Sequence, residues 1–297
     1  MSFYPDGAQS ASMTDAWFAG ADPDDPETGA TRVRTGRAPA PADWPAEAVD
    51  AGFAADETDY YAKLRSATLA AASEAVAERE RADDVQLAHA VRAMDDAERT
   101  ANELAERVVE WAGTRYEDVP RGLDGVRDIA ARDPNTAAEE RVVSYATRAV
   151  DLLDERDDLR AFIEERAPTA APNLAEMAGP VLAARLIALA GGLESLAKKP
   201  SGTVQVLGAE DALFAHLKGR ATSPKHGVIF THEFVRGTRP EDRGSAARAL
   251  AGKLAIAARV DHYAGEMRES VHEDLRDRME TIRARAGAVD DAEVADE

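Results

Sequence analysis

Residues Ala171 to Tyr263 read APNLAEMAGPVLAARLIALAGGLESLAKKPSGTVQVLGAEDALFAHLKGRATSPKHGVIFTHEFVRGTRPEDRGSAARALAGKLAIAARVDHY. This stretch differs in kind from its surroundings. The whole chain of 297 residues carries 36 Lys+Arg against 56 Asp+Glu, a net charge of −20. Between Gly179 and Tyr263 there are 12 basic and 7 acidic residues, a net of +5, so the remainder holds 24 against 49, a net of −25. Five of the six lysines fall here: Lys198, Lys199, Lys218, Lys225 and Lys253. A locally basic module inside an acidic chain points to a polyanion as partner. Charge alone leaves chance and lysines at helix ends as an equal reading.

The apolar pattern inside the stretch is helical. Pro180 suits a first helical turn. Val181, Leu182, Leu186, Ile187, Leu189, Ala190, Leu193 and Leu196 surround most of the following helix, which predicts that it is buried. Gly191-Gly192 weakens helix propensity by about 1 kcal/mol per Gly, which suggests close packing of another backbone. Thr203 to Leu207 reads as a short β-prone run. A helix is expected over residues 209–217, a loop over 218–227, and a last core helix over 244–263.

Several longer words recur here in order. They are Pro172-Asn173-Leu174, Ala183-Ala184-Arg185-Leu186-Ile187, Ala190-Gly191-Gly192-Leu193 and Leu196-Ala197-Lys198. Ser201 to Glu210 comes next (SGTVQVLGAE), then Ala212-Leu213-Phe214, Pro224 to Phe230 (PKHGVIF) and Ala247 to Asp261 (ARALAGKLAIAARVD). Together they closely resemble the Nop domain of the archaeal scaffold protein of box C/D guide ribonucleoproteins. The resemblance implies an all-α fold with a Nop-domain core, preceded by a short antiparallel coiled coil and a small N-terminal module. It implies a non-catalytic scaffold, binding a kink-turn RNA that already carries its small ribosomal-type protein partner. It also implies that the scaffold holds fibrillarin, the 2′-O-methyltransferase. S-adenosylmethionine would be fibrillarin's cofactor, and this chain would need none.

On the residues, RNA contacts are expected at Lys218, Arg220, Lys225 and His226, on or beside one loop, and at Arg248, Lys253 and Arg259 on the last core helix. A loop of Lys, Arg, His and Pro on a helical scaffold suits RNA, read through phosphates, 2′-hydroxyls and splayed bases. Separations of 5 and 6 cannot bring Arg248, Lys253 and Arg259 onto one narrow stripe, so only part of that set shares a face. The family usually places Lys after the Gly-Ala-Glu word, where this chain has Asp211, one phosphate partner fewer.

The flanks divide the rest. Residues 1–82 are read as a reduced N-terminal module. Its first 55 residues look loosely built, rich in breakers such as Asp22-Pro23-Asp24-Asp25-Pro26. The family's N-terminal domain binds fibrillarin, and Trp17, Phe18, Tyr60 and Tyr61 are the candidate anchors. Residues 83–170 are read as coiled-coil helices. Leu87, Val91, Met94, Ala97, Ala101, Leu104, Val108 and Trp111 form an apolar seam at spacings of 3 and 4. The seam serves equally a bundle within the chain or a second copy. Pro120 to Pro134 reads as a connector. A second helix is expected over residues 136–166, with Val142, Ala146, Ala149, Leu153, Leu159 and Ile163 as its seam, and Pro168 and Pro172 ending it. The segment between the seams looks short for the family, which bears on a possible homodimer. The core is assigned residues 171–265. Residues 266–297 are read as a charged helix and an acidic tail, disordered at its end.

Other classes find little support. With no Cys, neither disulfides nor thiolate metal sites can form. His216, His226 and His232 lie at spacings of 10 and 6, unlike a helical metal-ligand pair. No GxSxG or P-loop pattern appears, and no metal site is expected. A coiled-coil adaptor without RNA binding is the alternative. No run of about 18 apolar residues suggests a membrane span, and the polar N-terminus is unlike a signal peptide. A cytoplasmic protein is expected, with an acidic, Arg-rich surface like that of salt-loving archaea.

Overall fold

The computed structural model describes the backbone of residues 15–294, with side chains as far as residue 284, residue 283 excepted. The chain divides into two compact units, residues 1–82 and 83–297. Every regular element among the described residues is helical.

In the first unit, α1 spans Pro26–Thr35, α2 Trp44–Asp50 and α3 Glu57–Glu80. Over residues 15–55 the expectation of a loosely built segment is corrected, while residues 1–14 lie outside the described residues. The Asp and Pro residues that read as breakers start helices instead. Asp25, Asp43 and Asp56 each accept a backbone N–H of the first turn, and Pro26 and Pro45 fill first-turn positions where no N–H is needed. An aromatic cluster forms the core. The Trp17 ring meets Phe53 edge-on at 5.3 Å, and Phe18 stacks on Phe53 at 5.3 Å. On the surface, Arg34 of α1 bridges Glu74 and Glu78 of α3.

The second unit opens with a helical hairpin, α4 (Asp83–Ala112) and α6 (Ala137–Ala170). The two helices are antiparallel. Leu87, Val91 and Met94 near the start of α4 share a core with Ile163 and Ala167 near the end of α6. Ala105, Val108 and Ala112 share one with Val142, Ala146 and Ala149. Both expected seams are therefore used inside the chain. Trp111 departs from its expected place: it is 40% exposed, and Ala112 is buried instead. A straight helix drifts about 20° per heptad from a strict 3.5-residue period, which over four repeats turns the end of the seam.

The connector contains a helix of its own, α5 (Gly122–Ala130), with Val126 and Ile129 buried beneath the hairpin tip. Helix α6 runs through Pro168 rather than ending before it. The missing N–H lies in the last turn, so only one ladder bond is lost. Three cross-links fasten the hairpin to the helices of the core. Arg92 donates to Ala188 O at 3.1 Å, Asp84 accepts from Leu193 N at 2.8 Å, and Asp95 pairs with Arg185.

The core proper holds α7 (Pro172–Ala178), α8 (Pro180–Ala190), α9 (Leu193–Lys198), α10 (Ser201–Val206), α11 (Glu210–Leu217), α12 (Glu233–Arg236) and α13 (Arg243–Tyr263). Helix α14 (Glu269–Val294) packs on α13 through Leu275, Met279 and Ile282. The acidic end beyond Val294 lies outside the described residues. The stretch expected as β-prone is helix α10. Val204 and Leu207 both face the core, at 0% and 6% exposure. That three-residue separation shares a side on a helix and opposes faces on a strand.

The reason for Gly191-Gly192 also differs from expectation. A Cβ on Gly191 would meet nothing within 4 Å; its φ of +87° is what needs glycine, and Gly192 continues at +118°. They close the C-terminus of α8, both donating N–H to Ile187 O. No single helix among the described residues is long and apolar enough to cross a membrane. Helices α7 and α8 are apolar together, but they meet at 117° and lie in the core.

Candidate nucleic-acid interface

Two distant words of the sequence build the frame of the site. Asn173 and Asp261 are buried, 88 residues apart in sequence, and hydrogen-bonded. Asp261 Oδ1 accepts from Asn173 N at 2.9 Å and Nδ2 at 2.7 Å, and Oδ2 accepts from Leu174 N at 2.8 Å. These bonds satisfy the free N–H groups at the start of α7 with a carboxylate of α13. Asn173 Nδ2 also donates to Glu266 O at 2.8 Å, and its Oδ1 accepts from Arg268 N at 2.7 Å. One side chain thereby joins α7, α13 and the approach to α14.

The loop between α11 and α12 folds back on the end of α10. Gly227 donates to Gln205 O at 2.8 Å and Val228 to Leu207 O at 2.7 Å, while Gln205 Nε2 donates to Lys225 O at 2.7 Å. A Cβ on Gly227 would lie 2.0 Å from Leu207 O, so only glycine allows this approach. His226 then stacks on Phe230, ring centroids 4.6 Å apart at 21°. The Arg243 guanidinium stands 5.4 Å from the same Phe230 ring and donates from Nε to Thr238 O. The Lys225 stem runs past Gly244, 3.7 Å from where a Cβ would stand. Partial burial, then the positive charges of Arg243 and Lys225, hold the His226 imidazole below its usual range. An imidazole on an aromatic platform, with cations nearby, suits both stacking and phosphate contact.

The structure sorts the expected contacts. Lys218 and Arg220 are exposed on the loop. Lys225 and His226 come together with Phe230, the last residue of the same PKHGVIF word, and with Arg243, which no sequence motif singles out. The offset to Arg243, on another element, carries no local signal. On α13, Arg248 is exposed, one turn from Gly244. Lys253 points elsewhere and pairs with Asp274 of α14 at 2.7 Å. Arg259 shares the exposed face of Arg248 and donates to Ala197 O and Lys199 O, closing the end of α9. Asp211 is exposed in the first turn of α11. Helix α11 buries none of its residues, and its Phe214 and Leu217 are 57% and 70% exposed.

In the N-terminal unit, Phe18 and Tyr60 are interior, each 3% exposed, and the half-buried Trp17 donates from Nε1 to Tyr60 Oη at 3.1 Å. Of the four aromatic candidates only Tyr61 is open, at 52%. Among the described residues no group of three or more His, Asp or Glu is arranged to hold a metal ion.

Fold and site together define an all-helical protein with a basic, aromatic-backed face on its core. The comparisons make this particular. The Nop family, described as snoRNA binding domain, fibrillarin, matches residues 81–283. The chain belongs to that family. It is 47% identical over 142 residues to an uncharacterized NOP5 family protein of Methanocaldococcus jannaschii, covering 48% of this chain and 34% of that one. It is 39% identical over 146 residues to Nucleolar protein 56 of Saccharomyces cerevisiae, covering 49% of this chain and 29% of that one. The chain thus spans about a third of these relatives. A solved structure titled as a fibrillarin/Nop5p complex matches with a TM-score of 0.50 at 29% identity, over 86% of this chain and 91% of that one.

Proposed function

We propose that this protein is the scaffold of a box C/D guide ribonucleoprotein. Its Nop core binds a kink-turn RNA together with a small ribosomal-type protein. Its N-terminal module holds fibrillarin, which performs RNA-guided 2′-O-methylation of rRNA or tRNA with its own S-adenosylmethionine. The chain supplies distance and orientation rather than chemistry. The observation that carries this reading is the His226–Phe230–Arg243 stack beside Lys225, on a chain of the Nop family. RNA presents what such a cluster takes: phosphates for the cations and an unpaired base for the ring. The adjoining α11, with Phe214 and Leu217 bare, supplies an apolar contact for the small protein bound to the same RNA. In the N-terminal module, Tyr61 is the open aromatic for fibrillarin, and Trp17, Phe18 and Tyr60 shape the surface from beneath.

The test is a binding series with purified components. Lys225→Ala/His226→Ala is expected to weaken binding to the RNA–protein complex by about 1–3 kcal/mol, the scale of a lost base stack, with helicity unchanged. Removal of residues 1–82 is expected to abolish fibrillarin capture and leave RNA binding intact. Unaltered RNA affinity in the double variant, with the fold retained, would sink the RNA-binding reading.

A further inference from the structure

The solvent-facing stripe of α13 continues past Arg259. Ser245, Arg248, Ile256, Arg259 and Tyr263 are exposed, and Gly252 between them is partly so. The spacings, 3, 4, 4, 3 and 4, keep all six on one narrow face of a helix. Lys253 lies off this face, against α14. Along the helix axis, at 1.5 Å per residue, Tyr263 lies about 30 Å from Arg243, which itself stands off this stripe.

The surroundings of Tyr263 match those of a stacking platform. Tyr263 is 69% exposed, and His262 meets its ring edge-on at 4.5 Å. Cations gather beside it. Arg259 is one turn away, held by Ala197 O and Lys199 O of the α9 end. Lys199 adds a second positive charge at that end, while Lys198 pairs with Glu194 at 2.5 Å. That bond first, and Tyr263 more weakly, raise the Lys198 ammonium above its usual range. Of the nearby carboxylates, Glu194 is engaged by Lys198. Asp261 spends both oxygens on Asn173 and Leu174, and Glu266 stands in the turn to α14. A bare ring framed by cations, at the end of a basic helical face, fits an unpaired base with its phosphate.

We propose that Tyr263, with Lys199 and Arg259, is a second RNA contact, on which an unpaired base stacks about 30 Å beyond the His226 cluster. This rests on the reading of the α13 face as RNA-binding. A strand stacked at ~3.4 Å per nucleotide covers that distance in about nine nucleotides, and a more extended unpaired strand in fewer. Only an RNA that extends that far from the kink reaches both.

The experiment uses the full chain and a fluorescein-labelled kink-turn RNA bearing its small ribosomal-type protein. One RNA ends close to the kink, and the other continues for about a dozen unpaired nucleotides, beyond the nine-nucleotide reach. Tyr263→Ala is expected to weaken binding of the long RNA about tenfold and leave the short one unchanged. Tyr263→Phe should keep wild-type binding of both, since the ring alone stacks. Lys225→Ala/His226→Ala should weaken both RNAs. If Tyr263→Ala binds the long RNA normally while the double variant does not, the second contact is refuted and the first stands. If Tyr263→Ala weakens both RNAs equally, the residue acts through the fold and the proposal fails. If no variant changes binding, the RNA-binding reading fails with it.

Discussion

His232 has only one neutral form that satisfies its neighbours. Its Nε2 lies 3.0 Å from Met177 O and must donate, while its Nδ1 accepts from Phe234 N at 3.1 Å and starts α12. Protonating Nδ1 would break that second bond. Burial foremost holds this imidazole below its usual range, against the pull of Met177 O and Glu233. The unfolded chain, near the ordinary 6.5, then binds the proton more tightly than the folded one. Stability from this group is full above that value and falls as pH drops below it. His232→Gln should flatten that part of the stability–pH curve in urea melts, and an unchanged slope would show that another group is responsible. Gly227 is constrained by its backbone neighbours. Ala there would place a Cβ 2.0 Å from Leu207 O. Gly227→Ala should cost about 2–3 kcal/mol of stability and lower RNA affinity more than tenfold by displacing His226. Normal RNA binding by a folded Gly227→Ala protein would mean that the loop can re-form elsewhere.

Among elements, α7 and α13 are joined by a polar contact rather than by packing alone. Asp261 accepts three hydrogen bonds at the buried start of α7. Asp261→Ala leaves those donors without partners and should destabilise by about 3–5 kcal/mol. For a unit of this size that is a fall in Tm of roughly 10 °C. Asp261→Asn keeps the shape but loses acceptor capacity and charge, and should fall between. A Tm within a degree of wild type for Asp261→Ala would show that water replaces the carboxylate. The alanines of the hairpin play a different part. Ala101, Ala146 and Ala149 are fully buried and let α4 and α6 approach closely. The hairpin thus spends its seam within one chain.

For the whole molecule, charge is the dominant long-range term. A net of −20, with −25 outside the basic stretch, repels itself in dilute salt. Raising KCl to about 1 M shortens the screening length to about 3 Å and should raise Tm steadily. A Tm that falls over that range would contradict this. If the proposed function holds, the same screening removes long-range attraction for RNA, and affinity at high salt would come from short-range contacts such as the Phe230-backed stack.

Much of this molecule is dictated by local chemistry. The two seams of α4 and α6, the start of α4 at Asp83 and the span of α13 are legible because amphipathic periodicity is a property of neighbouring residues. The words from Pro172-Asn173-Leu174 to the Asp261 end likewise carry the family. Local rules fail where tertiary context overrides them. Thr203 to Leu207 is β-prone by residue type, yet becomes α10 because Val204 and Leu207 need the same side. The N-terminal Asp-Pro words announce helix starts as readily as breaks. Only the tertiary structure decided which cations face solvent together. Arg248 and Arg259 share a stripe, while Lys253 is turned to Asp274 by the packing of α14. Only it joined Asn173 to Asp261 and Phe230 to Arg243. These pairings depend on how loops and helices cross, and no sequence spacing records a crossing. Residue pattern set which helices form, and packing set which faces they show.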